Sequence, residues 1–160
     1  MDKKKLIEQI RLKLETERLA LIEAAKATYE AATHEESKPE NEYDTRGLEA
    51  SYLAGAQAKR VGDIEEMISI CRNLEVKKFD SKAPISSSAL VEVEYNGKKS
   101  FVFLMPKGGG VLIPFEGKNI QVIAPNSPLG TSLLGLKVGD TAIVETNDEN
   151  VKEYEILSVE

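Results

Sequence analysis

The sequence predicts an α+β fold: an N-terminal antiparallel helical hairpin followed by a C-terminal antiparallel sheet domain with one short helix. Three observations carry this. Residues 3 to about 32 contain neither Pro nor Gly and place apolar or small residues on a 3-4 spacing. Beyond Leu74 that period gives way to short alternating or β-branched runs. Ser127-Pro128 and Gly135 then bracket a short apolar patch, as the start and stop of a small helix do. The expected divisions are residues 1–75 for the hairpin, with an acidic tip near 34–44, residues 76–88 for a linker, and residues 89–160 for the sheet domain.

In the first helix Ile7, Ile10, Leu14, Leu21, Ala24, Thr28 and Ala31 form one seam, interrupted by Glu17. The second helix follows the polar segment Thr33 to Asn41, and its far end carries Ile64, Met67, Cys71 and Leu74 on the same kind of seam. Two long helices joined by a short polar link fold back antiparallel. Arms of roughly 30 residues span about 45 Å at the usual helical rise. Large side chains concentrate at the base and alanines flank the link, so the tip is expected to be the narrower end.

Residues 75 to 88 are charged, then serine-rich, and contain Pro84, which reads as a linker. Strands are expected at Leu90 to Tyr95, Lys99 to Leu104, Val111 to Phe115, Ile120 to Ile123, Thr141 to Val144 and Lys152 to Val159. Asn96-Gly97 is a two-residue hairpin turn between the first two. Gly108-Gly109-Gly110 lacks the strand-loop-helix setting and the following Lys-Ser/Thr of a phosphate loop, so it reads as a flexible hairpin connection. In the segment Pro125 to Asp140, Ser127 is an N-cap and Pro128 suits the first helical position. Leu129, Leu133 and Leu134 share a face, and Gly135 takes the left-handed stop. Lys137-Val138-Gly139-Asp140 is a turn feeding the next strand.

Composition narrows the function classes. Hydrophobic residues make up 41% of the chain, enough for a core, while the net charge of −6 excludes a bulk electrostatic grip on nucleic acid. The lone Cys71 lies in an apolar helical repeat and forms no internal disulfide, as suits a reducing cytoplasm. The charged N-terminal helix lacks the apolar run of a signal peptide or membrane span, so a cytoplasmic location is expected. Lys3, Lys4, Lys5, Arg11, Lys13, Lys77, Lys78 and Lys82 are expected to gather at the base of the hairpin. There they either balance neighbouring glutamates in solvent or contact RNA.

The link holds five carboxylates in ten positions: Glu35, Glu36, Glu40, Glu42 and Asp44. Part of this is structural, since Ser37-x-x-Glu40 is a capping box and acids favour a helix N-terminus. Carboxylates on a narrow probe can also supply oxygen ligands to a hard divalent cation, or position a water for attack on a phosphodiester. An exposed pair binds Mg²⁺ weakly and needs a partner site for the remaining ligands. The lone His34, in a polar turn, reads as solvated rather than as a ligand or base.

The Pro125 to Asp140 segment resembles the C-terminal motif of the bacterial Gre transcript-cleavage factors, and Glu40-Asn41-Glu42-Tyr43 is similar to the end of their Asp-x-x-Glu-Asn-x-Glu-Tyr tip. The resemblance is architectural elsewhere. It implies an FKBP-like sheet domain, without implying a prolyl isomerase. It also implies a hairpin that enters the secondary channel of bacterial RNA polymerase and meets the nascent RNA and DNA of the elongation complex indirectly. The tip acids would hold Mg²⁺ jointly with the polymerase, so that the polymerase, as the enzyme, cleaves backtracked RNA. By motif, Glu40 matches the essential glutamate and shares the metal, with Glu36, Glu42 and Asp44 as further acids. Asn126, Ser127, Pro128 and Leu129 match the loop that touches the channel rim.

The family's aspartate position is held by Ser37, and an ungapped alignment from Ile64 backwards puts Glu40 at that position instead. Glu35, Glu36, Glu42 and Asp44 are the acids that can replace the missing one. Three readings follow: a cleavage-stimulating elongation factor, a channel-binding regulator without cleavage stimulation, and a generic coiled-coil interaction module.

Overall fold

A computed structural model describes residues 1–34, 39–40, 46–146 and 150–160. The chain forms two compact units, Arg11–Ser69 and Met1–Ile10 with Ile70–Glu160.

The first unit is built from α1 (Lys3–Thr33) and α2 (Arg46–Asn73), each of which also runs into the other unit. Leu14, Ile64 and Met67 are buried here, as the seam predicts, together with Ile68, which lies beside it, whereas Ala24 and Ala31 of the expected seam are exposed. Outward of them Leu21, Ala25 and Thr28 are only half-buried. Arg18 pairs with Glu65 and Arg60 with Glu17, each at 3.2 Å, linking the helices along their solvated side. Such exposed pairs contribute little, about 0.2–1 kcal/mol each, so the buried aliphatic seam holds the pair together. Leu74 falls one residue beyond α2 and is half-buried, so Cys71 is the last buried member of the α2 row.

The second unit carries β1 (Leu90–Tyr95), β2 (Lys98–Leu104), β3 (Val111–Phe115), β4 (Lys118–Ile123), α3 (Pro128–Leu133), β5 (Thr141–Glu145) and β6 (Val151–Val159). These strands form one sheet in the order β3-β4-β2-β1-β6-β5. Asn96 and Gly97 take φ of 50° and 71°, the left-handed pair that a tight β1/β2 hairpin requires. Among the described strands the pairings are antiparallel except β2/β4, which is parallel, with Phe101 opposite Ile120. The cause lies in the connection. β3 is reached through Gly108 (φ 75°) and Gly110 (φ 82°), takes the edge, and reverses into β4, so two reversals return β4 alongside β2 in the same direction. Pro114 is tolerated because β3 is an edge strand.

One face of the sheet buries Val91, Val93, Val102, Leu104, Ile123, Ala142, Ile156 and Val159 with Leu133 of α3. Leu90, Phe103, Ile120 and Val122, which alternate with these along the strands, are buried as well. The central strands are therefore covered on both sides.

The expected linker 76–88 is part of this unit. Ile85 is buried in the core; its N–H donates to the Leu136 carbonyl (2.8 Å) and its own carbonyl accepts from Gly135 N–H (2.9 Å). Ser88 is buried at φ 68°, donates its N–H to the Leu104 carbonyl and accepts from Lys77 N–H on Oγ (3.0 Å). Serine and proline composition signalled a loop, and long-range hydrogen bonding made it an ordered one.

Candidate functional site

The segment 124–140 is built from the turn outward. Ser127 sits at φ −74°, ψ 155°, where its Oγ accepts from Gly130 N–H at 3.1 Å and donates to the Ala124 carbonyl at 2.7 Å. Such a cap is worth about 1 kcal/mol. Pro128 starts α3 where no N–H is needed. Thr131 Oγ1 donates to the Pro125 carbonyl (2.9 Å), and Ser132 Oγ donates to the Ile143 carbonyl of β5 (2.6 Å). Leu133 is fully buried beneath the helix, and Leu129 is half-buried against the same core.

This framework leaves Asn126 and Pro128 exposed to solvent, while Ser127 and Leu129 are half-buried. The four predicted contact residues thus divide into two that present surface and two that hold the loop in place. Leu134 departs from expectation. It is the C-cap at φ −55°, ψ 127° and is 42% exposed, because the chain leaves helical angles one residue before Gly135 turns at φ 80°. The following turn is as read: Lys137 N–H donates to Asp140 Oδ2 (2.7 Å), and Gly139 has φ 88°.

Gly130 escaped the sequence reading. A Cβ there would lie 1.9 Å from the Ala124 carbonyl oxygen and 2.8 Å from Ser127 Oγ. The start of α3 can seat on the 124–127 turn only if this position has no side chain. The signal was available, since a glycine three residues after an N-cap costs helix propensity and implies a packing reason.

Residues 114–160 match the family model described as "Transcription elongation factor, GreA/GreB, C-term", and the matched span includes the whole of α3 and its flanking turns. Relatives named transcription elongation factor GreA match over nearly the full chain. That of Shouchella clausii is 28% identical over 98% of this chain and 91% of its own. That of Buchnera aphidicola subsp. Schizaphis graminum is 29% identical over 94% and 91%. The chain is GreA/GreB-like. These relatives support a Gre-type elongation factor. Gfh1 of Thermus aquaticus, solved by crystallography, is 26% identical over 95% of this chain and 92% of its own, with a TM-score of 0.40.

The second candidate region is the link between α1 and α2. Thr33 Oγ1 donates to the Tyr29 carbonyl (3.0 Å) and His34 N–H to that of Glu30 (3.0 Å), closing α1. Glu40 and His34 are exposed. Glu35, Glu36 and Ser37 lie outside the described residues, as do Glu42 and Asp44, so the capping box and the remaining tip acids do too. Among the described residues no group of three or more His, Cys, Asp or Glu side chains is placed to hold a metal ion.

Of the basic residues expected at the hairpin base, Lys3 is unavailable for contact. It is buried, with its ammonium donating to the Lys77 and Ser88 carbonyls and standing 4.8 Å from the Phe79 ring. Burial pushes its pKa below the ordinary 10.5, and the Glu160 carboxylate opposes the shift. Lys4 and Lys5 remain exposed. Among the described residues no helix is long and apolar enough to cross a membrane.

Proposed function

We propose that the chain is an elongation factor that binds bacterial RNA polymerase through its secondary channel and stimulates cleavage of backtracked RNA by the polymerase active site. The observation that supports this reading is the family match over 114–160, which includes a loop whose buried framework presents Asn126 and Pro128 outward. In this reading Asn126 and Pro128 contact the channel rim, while Ser127 and Leu129 position them. The polymerase is the enzyme and this chain an accessory factor.

The acids near the link, Glu40 with Glu36, Glu42 and Asp44, lie on the part that reaches the polymerase. A Mg²⁺ held mainly by polymerase ligands would supply Lewis-acid activation there when bound. This chain's part is charge: the Glu40 carboxylate, which is exposed, would add a negative oxygen ligand to that ion.

Transcript cleavage by a backtracked polymerase, with and without the chain, tests the reading. Glu40→Gln should slow cleavage by at least about tenfold while leaving polymerase affinity within about twofold. A cleavage rate unchanged by the wild-type chain at saturating concentration refutes the reading. One feature favours a second function: in the register that matches Glu40 to the family's glutamate, Ser37 falls where the family carries an aspartate. With polymerase binding intact and cleavage not stimulated, the chain is a channel-binding regulator, and Ser37→Asp is the change to examine first.

A further inference from the structure

Away from the buried seam, α1 carries a second apolar row. Leu12, Leu19, Ile22 and Tyr29 are 44%, 57%, 40% and 62% exposed, although a solvated helix face has no need of four large apolar side chains. With Glu15 and Lys26 they repeat on a 3-4 spacing. Leu12, Leu19 and Lys26 recur every seventh residue, and Glu15, Ile22 and Tyr29 follow each of them by three. That is the spacing of a two-helix seam. Leu14, Leu21 and Thr28, which are buried or half-buried, sit two positions further on, about 200° around the helix. The two rows are therefore on different sides of α1.

The exposed row is self-complementary when reversed. A two-fold axis crossing α1 midway between Ala20 and Leu21 sets Leu12 of one copy against Tyr29 of the other, Leu19 against Ile22, and Glu15 against Lys26, each contact occurring twice. Apolar residues meet apolar residues and the two charged positions meet with opposite sign. Other arrangements fail. Sliding the pair by a heptad in one direction puts Leu19 against Glu15, and in the other puts Ile22 against Lys26. A parallel pair would face Glu15 with Glu15 and Lys26 with Lys26.

We propose that this row is a dimerisation surface whose occupant is the same row of a second copy, running antiparallel. Glu15 already accepts from Arg11 on its own helix at 2.5 Å, and pairing adds Lys26 of the other copy to that ion pair. The inference stands on α1 alone and does not depend on the polymerase reading.

Sedimentation equilibrium of the full chain from micromolar to millimolar concentration tests it, with far-UV circular dichroism to confirm that helix content is kept. These positions are exposed in the single chain, so their variants should fold. The wild type should dimerise with rising concentration. Leu19→Lys, which buries a charge in two of the layers, should raise the dissociation constant at least about tenfold. Glu15→Lys should raise it several-fold by setting like charges together, and Glu15→Lys combined with Lys26→Glu should recover most of that loss.

Recovery in the double variant is specific to the antiparallel register. A wild type that stays monomeric throughout overturns the proposal. So does a dimer indifferent to Leu19→Lys, or a double variant no better than Glu15→Lys alone. A monomeric wild type whose polymerase binding falls on Leu19→Lys gives the row to the polymerase instead, and equally overturns it.

Discussion

Gly130→Ala tests whether the architecture of α3 depends on close backbone approach or merely on helix propensity, because the two arguments predict opposite signs. Propensity favours alanine over glycine inside a helix by about 1 kcal/mol. Sterics oppose it: the added Cβ would lie 1.9 Å from the Ala124 carbonyl oxygen, against roughly 3.5–4.0 Å for an ordinary contact. Backbone cannot swing aside as a side chain can. Relief needs the first turn of α3 to move by more than an ångström relative to the 124–127 turn. Such overpacking costs about 1–3 kcal/mol. The same shift pulls Gly130 N–H away from Ser127 Oγ, forfeiting about 1 kcal/mol of capping. The net expectation is destabilisation by about 1–3 kcal/mol.

Gly62→Ala is the internal control. That glycine lies in α2 with nothing within 4 Å of an added Cβ, so the change should stabilise by about 0.5–1 kcal/mol. Urea unfolding followed by far-UV circular dichroism compares the variants. Amide exchange at Leu134 and Gly135, which donate to the Gly130 and Ile85 carbonyls, reports on α3 itself. A Gly130→Ala protein as stable as the wild type, with both amides equally protected, would refute the close-approach argument.

Leu14→Ala and Ile64→Ala, at fully buried positions, should each cost about 2–5 kcal/mol in the same urea experiment, whereas Glu23→Ala, on the exposed side of α1, should cost little. Asn126→Ala with Pro128→Ala should weaken polymerase binding at least about tenfold without lowering the urea midpoint, since both residues are exposed; equal affinity would remove the loop from the contact surface. Lys3 should make stability pH-dependent. Its folded pKa lies below 10.5, so above the folded value the unfolded chain binds more protons, and stability relative to Lys3→Met should rise as pH climbs toward 10.5, as paired unfolding curves would show.

The sequence by itself determined where the elements lie and how they end, because those features are set by chemistry within a few residues. Asn96-Gly97 needs only its own backbone angles to turn β1 into β2, and α3 is bounded by the Ser127 cap, the fixed φ of Pro128 and the left-handed angle of Gly135, each set within a single turn. The seam of Leu14, Ile64 and Met67 was legible from period alone, since a helix brings residues three and four apart onto one side wherever it packs. In the candidate contact loop, residue types pointed to 126–129, and the division between surface and support came from burial.

Tertiary structure decided what depends on distant partners. Residues 76–88 read as a linker until Ile85 and Ser88 met the Leu136 and Leu104 regions of the backbone, far along the chain. The parallel β2/β4 pairing depends on where β3 docks, and no local turn signal encodes it. Lys3 reads as a solvated cation because lysine usually is one. It is buried here because the Lys77 and Ser88 carbonyls and the Phe79 ring converge on its ammonium. Gly130 is needed because the Ala124 carbonyl arrives within touching distance of where its Cβ would stand, a closeness that shows only in the folded backbone. Local chemistry writes the elements, and the requirement that buried polar groups find partners selects how they are joined.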